Sequence, residues 1–92
     1  MASRRKLKKT IQFVSSELIT DIYFRCLMSK DIEDEKVNNI VIEIMAIQRE
    51  FILRVNRPDG KSNPTLVRAY FRKIFADWQL AMATVIKEIE SL

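Results

Sequence analysis

Any chemistry this chain performs must be done without histidine, which is absent. That removes Ser-His and Cys-His nucleophile pairs, imidazole general-base work, most zinc and haem sites, and the Glu-x-x-His di-iron motif of helical bundles. A single glycine, Gly60, leaves no glycine-rich phosphate loop and no dinucleotide fingerprint. The densest acid cluster is Asp31, Glu33, Asp34 and Glu35. It lacks the loop and glycine of a calcium site and reads as the acidic first turn of a helix, where the helix dipole favours negative charge. Glu17 and Asp21 stand four residues apart and read as solvated surface on one helix face. Ser3-Arg4-Arg5-Lys6 matches S-x-x-K formally but has no companion motif. Cys26, the only cysteine, flanks an apolar stripe and reads as a small hydrophobe rather than a reactive thiol. Trp78 and Tyr70 read as core anchors. The expectation is a non-enzymatic chain with no catalytic residue, no cofactor and no metal.

The elements that must position these residues are helices. In 63–92 the apolar residues Val67, Phe71, Ile74, Trp78, Ala81/Met82, Val85, Ile89 and Leu92 recur at steps of three or four. Asn63 suits a helix cap and Pro64 the first helical position. Leu7, Ile11, Val14, Leu18, Ile22 and Cys26 set a first helix, and Val37, Ile40, Val41, Ile44, Ile47, Phe51 and Val55 a second. Asp31 is the expected cap of the second, and Pro58 with Asp59-Gly60 closes it. The spacing predicts helices over about 7–28, 32–56 and 64–92, with 1–6 as a basic, frayed tail. Short connections make neighbours antiparallel, so the fold class expected is an all-α, up-down-up three-helix bundle in one domain, 1–92.

Composition agrees. Hydrophobic residues make up 48% and charged residues 30% of the 92, as in a folded soluble domain. No apolar run approaches the ~18 residues of a membrane span. The Arg4-Arg5 pair is followed by Glu17 and Asp21 rather than by an uncharged export-signal core. The expected location is therefore the cytoplasm.

Two patterns could carry function. The first is charge. The net charge is +4, but Arg4, Arg5, Lys6, Lys8 and Lys9 open the chain, and Arg54, Arg57, Lys61, Arg68 and Arg72 surround the turn between the second and third helices. In an up-down-up bundle both clusters share one pole, and the acids at 31–35 with Glu88 and Glu90 share the other. A basic pole can bind nucleic-acid phosphate by counterion release, and the start of the third helix is where a bound anion is expected. The second pattern is surplus apolar surface. Ile42, Met45, Ile52, Leu53, Phe75 and Ile86 fall off the core stripes, and Phe13, Tyr23 and Leu27 widen the first helix beyond one stripe. Such a surplus suggests a protein partner or a homo-oligomer.

The opening Arg/Lys tract running into Thr10-Ile11-Gln12-Phe13-Val14-Ser15-Ser16-Glu17-Leu18-Ile19-Thr20 resembles small uncharacterised bacterial helical proteins of the kind found in Bacteroidetes. That resemblance implies no activity, cofactor or site residue. The functional expectation is an interaction or regulatory module that self-associates. The alternative is a nucleic-acid-associated protein using the basic pole. No small-molecule ligand is expected.

Overall fold

Helix-forming residues dominate the chain, and the few breakers sit between three long runs of them. The computed structural model describes residues 4–56 and 63–92. These form α1 (Arg4–Met28), α2 (Asp34–Asn56) and α3 (Pro64–Glu90). No strand occurs among the described residues, and the expected all-α three-helix bundle is the fold. The helices lie side by side in a rod of 53 × 17 × 16 Å.

The core is the meeting of three stripes. α1 contributes Leu7, Ile11 and Ile22, α2 contributes Val37, Ile40, Ile44, Phe51 and Val55, and α3 contributes Ile74, Trp78, Met82, Val85 and Ile89. α2 is the central member, and α1 and α3 each pack along it. The far ends of α1 and α3 also meet, where Arg25 Nη1 donates to the Ile89 carbonyl at 3.4 Å. That contact puts the C-terminal ends of α1 and α3 at one pole, as an up-down-up order requires.

Three boundaries differ from the sequence expectation. α1 begins at Arg4, not Leu7. Arg and Lys are good helix formers with no breaker between them, and this outweighs their unfavourable placement at the positive end of the dipole. α2 begins at Asp34, not Ile32. Residues 30–32 are used in the turn, so Asp31 does not cap the helix; the first bond runs from the Val37 N–H to the Glu33 carbonyl at 3.2 Å. Asp34 and Glu35 still supply the acidic first turn. α3 ends at Glu90, where the Ser91 hydroxyl donates to the Glu88 carbonyl at 2.7 Å. Its start is as expected: the Asn63 side chain accepts from the Thr65 and Leu66 N–H groups at 3.0 and 3.3 Å, with Pro64 at the first position.

No described helix is long and apolar enough to cross a membrane. Ser15 is fully buried, its hydroxyl donating to the Ile11 carbonyl at 2.8 Å. A small residue that satisfies its own hydroxyl lets α1 lie close to its neighbours.

Candidate functional site

The chemistry-bearing residues are dispersed. Among the described residues no three acids and cysteines converge in a way that could hold a metal ion. Glu17 is exposed, and Asp21 pairs with Arg25 of the next turn at 3.2 Å. Cys26 is a free thiol, half-buried against the core. Trp78 is buried and Tyr70 half-buried, its hydroxyl donating to the Arg54 carbonyl at 2.9 Å.

Two carboxylates have shifted acidity. Glu43 on α2 holds its proton more tightly than a free glutamate. Partial burial is the main cause, and Glu88 across on α3 adds a hydrogen bond to the protonated form and like-charge repulsion. Asp77 moves the opposite way, lowered chiefly by its hydrogen bond from Arg54 and further by Lys73, with partial burial opposing. Its carboxylate lies 2.9 Å from Arg54 Nη2 and 3.3 Å from Lys73 Nζ. Neither arrangement supplies an acid–base pair around a cavity. The Arg54–Asp77 pair holds α3 against α2, whereas Glu43 and Glu88 repel across the same interface when both are charged.

The basic pole is only partly brought together. Arg4, Arg5, Lys8 and Lys9 with Gln12 line an open recess of about 430 Å³ along the start of α1, and Lys6 is exposed on the same turns. Arg68 and Arg72 are exposed on the first turns of α3. Arg54 is engaged elsewhere, bonded to Asp77 and stacked 4.9 Å over the Phe51 ring. Arg57 and Lys61 lie outside the described residues. The start of α3, expected to receive an anion, has two of its amide donors already taken by Asn63.

The surplus apolar residues divide into three groups. On α2, Ile42, Met45 and Leu53 are exposed, whereas Ile52 packs against the core. Leu53 helps line an open groove of about 580 Å³ with Ala46, Arg49, Glu50, Arg54 and Tyr70. On α3, Phe75 and Ile86 are marginally exposed, and the Phe75 ring packs 5.7 Å from Trp78. The third group is the largest. On α1, Phe13 is 65% exposed, Leu27 80% and Met28 85%, and Tyr23 and Phe24 are also largely exposed.

Phe13, Tyr23, Phe24 and Leu27 are not scattered. At 100° per residue they fall, with Ser16 and Thr20, within an arc of about 100° on the side opposite Leu7, Ile11, Ser15 and Ile22. α1 therefore has two apolar faces, one turned into the bundle and one turned out. Sequence reading placed these aromatics on α1 as extra width of one stripe. The signal of a second face was the run Phe13, Ser16, Thr20, Tyr23/Phe24, Leu27, which keeps steps of three and four by itself.

No protein-family model, no curated protein and no solved structure matches this chain.

Proposed function

We propose that this chain is a non-enzymatic helical interaction or regulatory module that works by self-association, through the outer face of α1. The observation that carries this reading is the second apolar face: Phe13, Tyr23, Phe24 and Leu27 on one side of α1, all exposed to solvent. Fully burying one such side chain is worth about 1.5–3 kcal/mol. Four on one side of one helix supply a driving force for helix–helix association, and exposed apolar surface of this kind marks an interaction site. Cys26 as the only cysteine, unpaired, is compatible with a reducing cytoplasm.

Light scattering coupled to size exclusion tests this. The unaltered chain elutes as a dimer, and a Phe13→Gln/Leu27→Gln variant elutes as a monomer with its helical circular dichroism intact. Both residues are exposed, so neither change touches the core. Identical masses for the two proteins would remove the reading.

A second reading rests on the recess lined by Arg4, Arg5, Lys8, Lys9 and Gln12, four cations with no acid among them. It could take nucleic-acid phosphate, with affinity falling steeply as salt rises. It has no aromatic for base stacking and no groove-reading helix. Retention on a short duplex at low salt, compared with an Arg4→Gln/Arg5→Gln/Lys8→Gln variant, separates it from the first reading. Equal retention of the two proteins excludes it.

A further inference from the structure

We infer that two copies of this chain pack antiparallel along the outer faces of α1, about a two-fold axis at Thr20. Each copy's basic end then lies against the other's acidic turn. This inference rests on the proposed self-association and adds the partner's orientation.

The axis follows from the spacing. Phe13 and Leu27 stand seven residues either side of Thr20. An antiparallel partner centred there sets Phe13 against Leu27 of the second copy, twice, with Thr20 against its own counterpart. The small side chain of Ser16 leaves room where Tyr23 and Phe24 of the second copy arrive. Large residues thus meet small ones along the seam, which permits close helix packing. The same patch serves both copies, as a two-fold dimer requires.

Charge selects this orientation over the parallel one. Lys9 lies eleven residues before Thr20, about 16 Å along the axis, and Asp31 lies in the turn that follows α1. α1 ends at Met28, about 12 Å past Thr20 at 1.5 Å per residue, and the chain turns back there into α2. On the helical wheel Arg5, Lys6 and Lys9 continue the Phe13–Leu27 arc toward the start of α1. In the antiparallel dimer this basic end stands beside the pole of the second copy that carries Asp31, Glu33, Asp34 and Glu35, all exposed. A parallel dimer would instead stack basic turn on basic turn and acidic turn on acidic turn.

The whole molecule repeats the pattern. When the helices are divided at their midpoints, the described half holding the start of α1 carries ten bases and two acids. The other half carries four bases and nine acids. Electrostatic complementarity of this kind fixes register and suppresses the wrong pairing.

Thiol cross-linking tests the orientation. In a Cys26→Ala background, single cysteines replace Phe13, Thr20 or Leu27, all on the exposed face, and Ala83 on the exposed back of α3 serves as a collision control. The probe is a bismaleimide whose span matches a helix-to-helix distance of about 8–10 Å. Thr20→Cys links to itself in near-complete yield. Phe13→Cys and Leu27→Cys link when mixed but not alone, because each lies about 21 Å along the axis from its own counterpart at 1.5 Å per residue. Phe13→Cys linking to itself, or Thr20→Cys linking no faster than Ala83→Cys, overturns the antiparallel arrangement. Sedimentation of the same Cys26→Ala parent and its variants is run alongside. A dimer with the wrong linkage defeats only the orientation, whereas a monomer throughout defeats the self-association beneath it as well.

Discussion

At the scale of single residues, the two shifted carboxylates act on stability with opposite signs. Glu43 has a raised pKa in the fold, so the folded state binds its proton more tightly than the unfolded state. Its penalty is absent at low pH and appears as pH rises through the ordinary glutamate value of 4.5. Glu43→Gln should therefore raise the melting temperature at pH 7 and do so less at pH 4. The gain at pH 7 is at most about 1 kcal/mol, the scale of a solvent-screened pair. Asp77 has a lowered pKa, so its contribution is present above the ordinary aspartate value of 3.8 and is lost as pH falls through the folded value. Asp77→Asn should lower the melting temperature at pH 7, and the difference from the unaltered chain should shrink below pH 3.8. Melts followed by circular dichroism at several pH values check both. A shift of the same sign for both variants at pH 7 would contradict the assignment.

Trp78 is the other residue with a defined energetic position. It is buried at the centre of α3, and its Nε1–H has no hydrogen-bond partner. Trp78→Ala should cost about 3–5 kcal/mol through the cavity it leaves. Trp78→Phe should cost much less, because it keeps an aromatic ring in place and removes a donor whose desolvation is uncompensated. Denaturant titration of the two variants checks this, and equal losses would contradict it.

At the scale of elements, α3 is held by its cap and its stripe. Asn63 satisfies two of the first amide donors, and Asn63→Ala should cost about 1 kcal/mol in chemical denaturation. The basic Arg68, Arg72 and Lys73 near its start and the acidic Glu88 and Glu90 near its end oppose the dipole. Packing of Ile74, Trp78, Met82, Val85 and Ile89 has to outweigh them. This much was readable in advance, because a 3.6-residue repeat running from Val67 to Leu92 and an Asn-Pro start are local signals. Helix starts were less readable. The expectation of a frayed tail weighed the dipole against Arg4–Lys6 and underweighted their helix propensity. The expectation that Asp31 caps α2 overlooked that the turn itself needed residues 30–32. The outward face of α1 was legible only as a surplus. Deciding which of two apolar faces turns inward requires knowing that α2, not α1, is the central helix, and that is a tertiary fact. The basic cluster was overcounted for a similar reason: nothing local in the sequence shows that Arg54 reaches across to Asp77, 23 residues away.

At the scale of the whole molecule, the described halves carry opposite charge, and the outer side of α1 exposes Phe13 in one half and Tyr23, Phe24 and Leu27 in the other. The proposed dimer turns one such rod end over end against another. Salt should act on it in a defined way. The apolar seam is insensitive to ionic strength, while the charged ends are screened beyond a Debye length of about 8 Å in 0.15 M salt. Added salt should therefore weaken the dimer moderately without abolishing it, unlike a phosphate complex, whose affinity falls by orders of magnitude.

Sedimentation equilibrium of the unaltered chain, at several loading concentrations and two salt concentrations, tests self-association most directly. The expected result is a concentration-dependent rise in mass from one chain of 10.8 kDa to a plateau at twice that value, reached at somewhat higher concentration when salt is raised. A single-chain mass at every concentration, with Phe13, Tyr23, Phe24 and Leu27 left facing solvent, would contradict it.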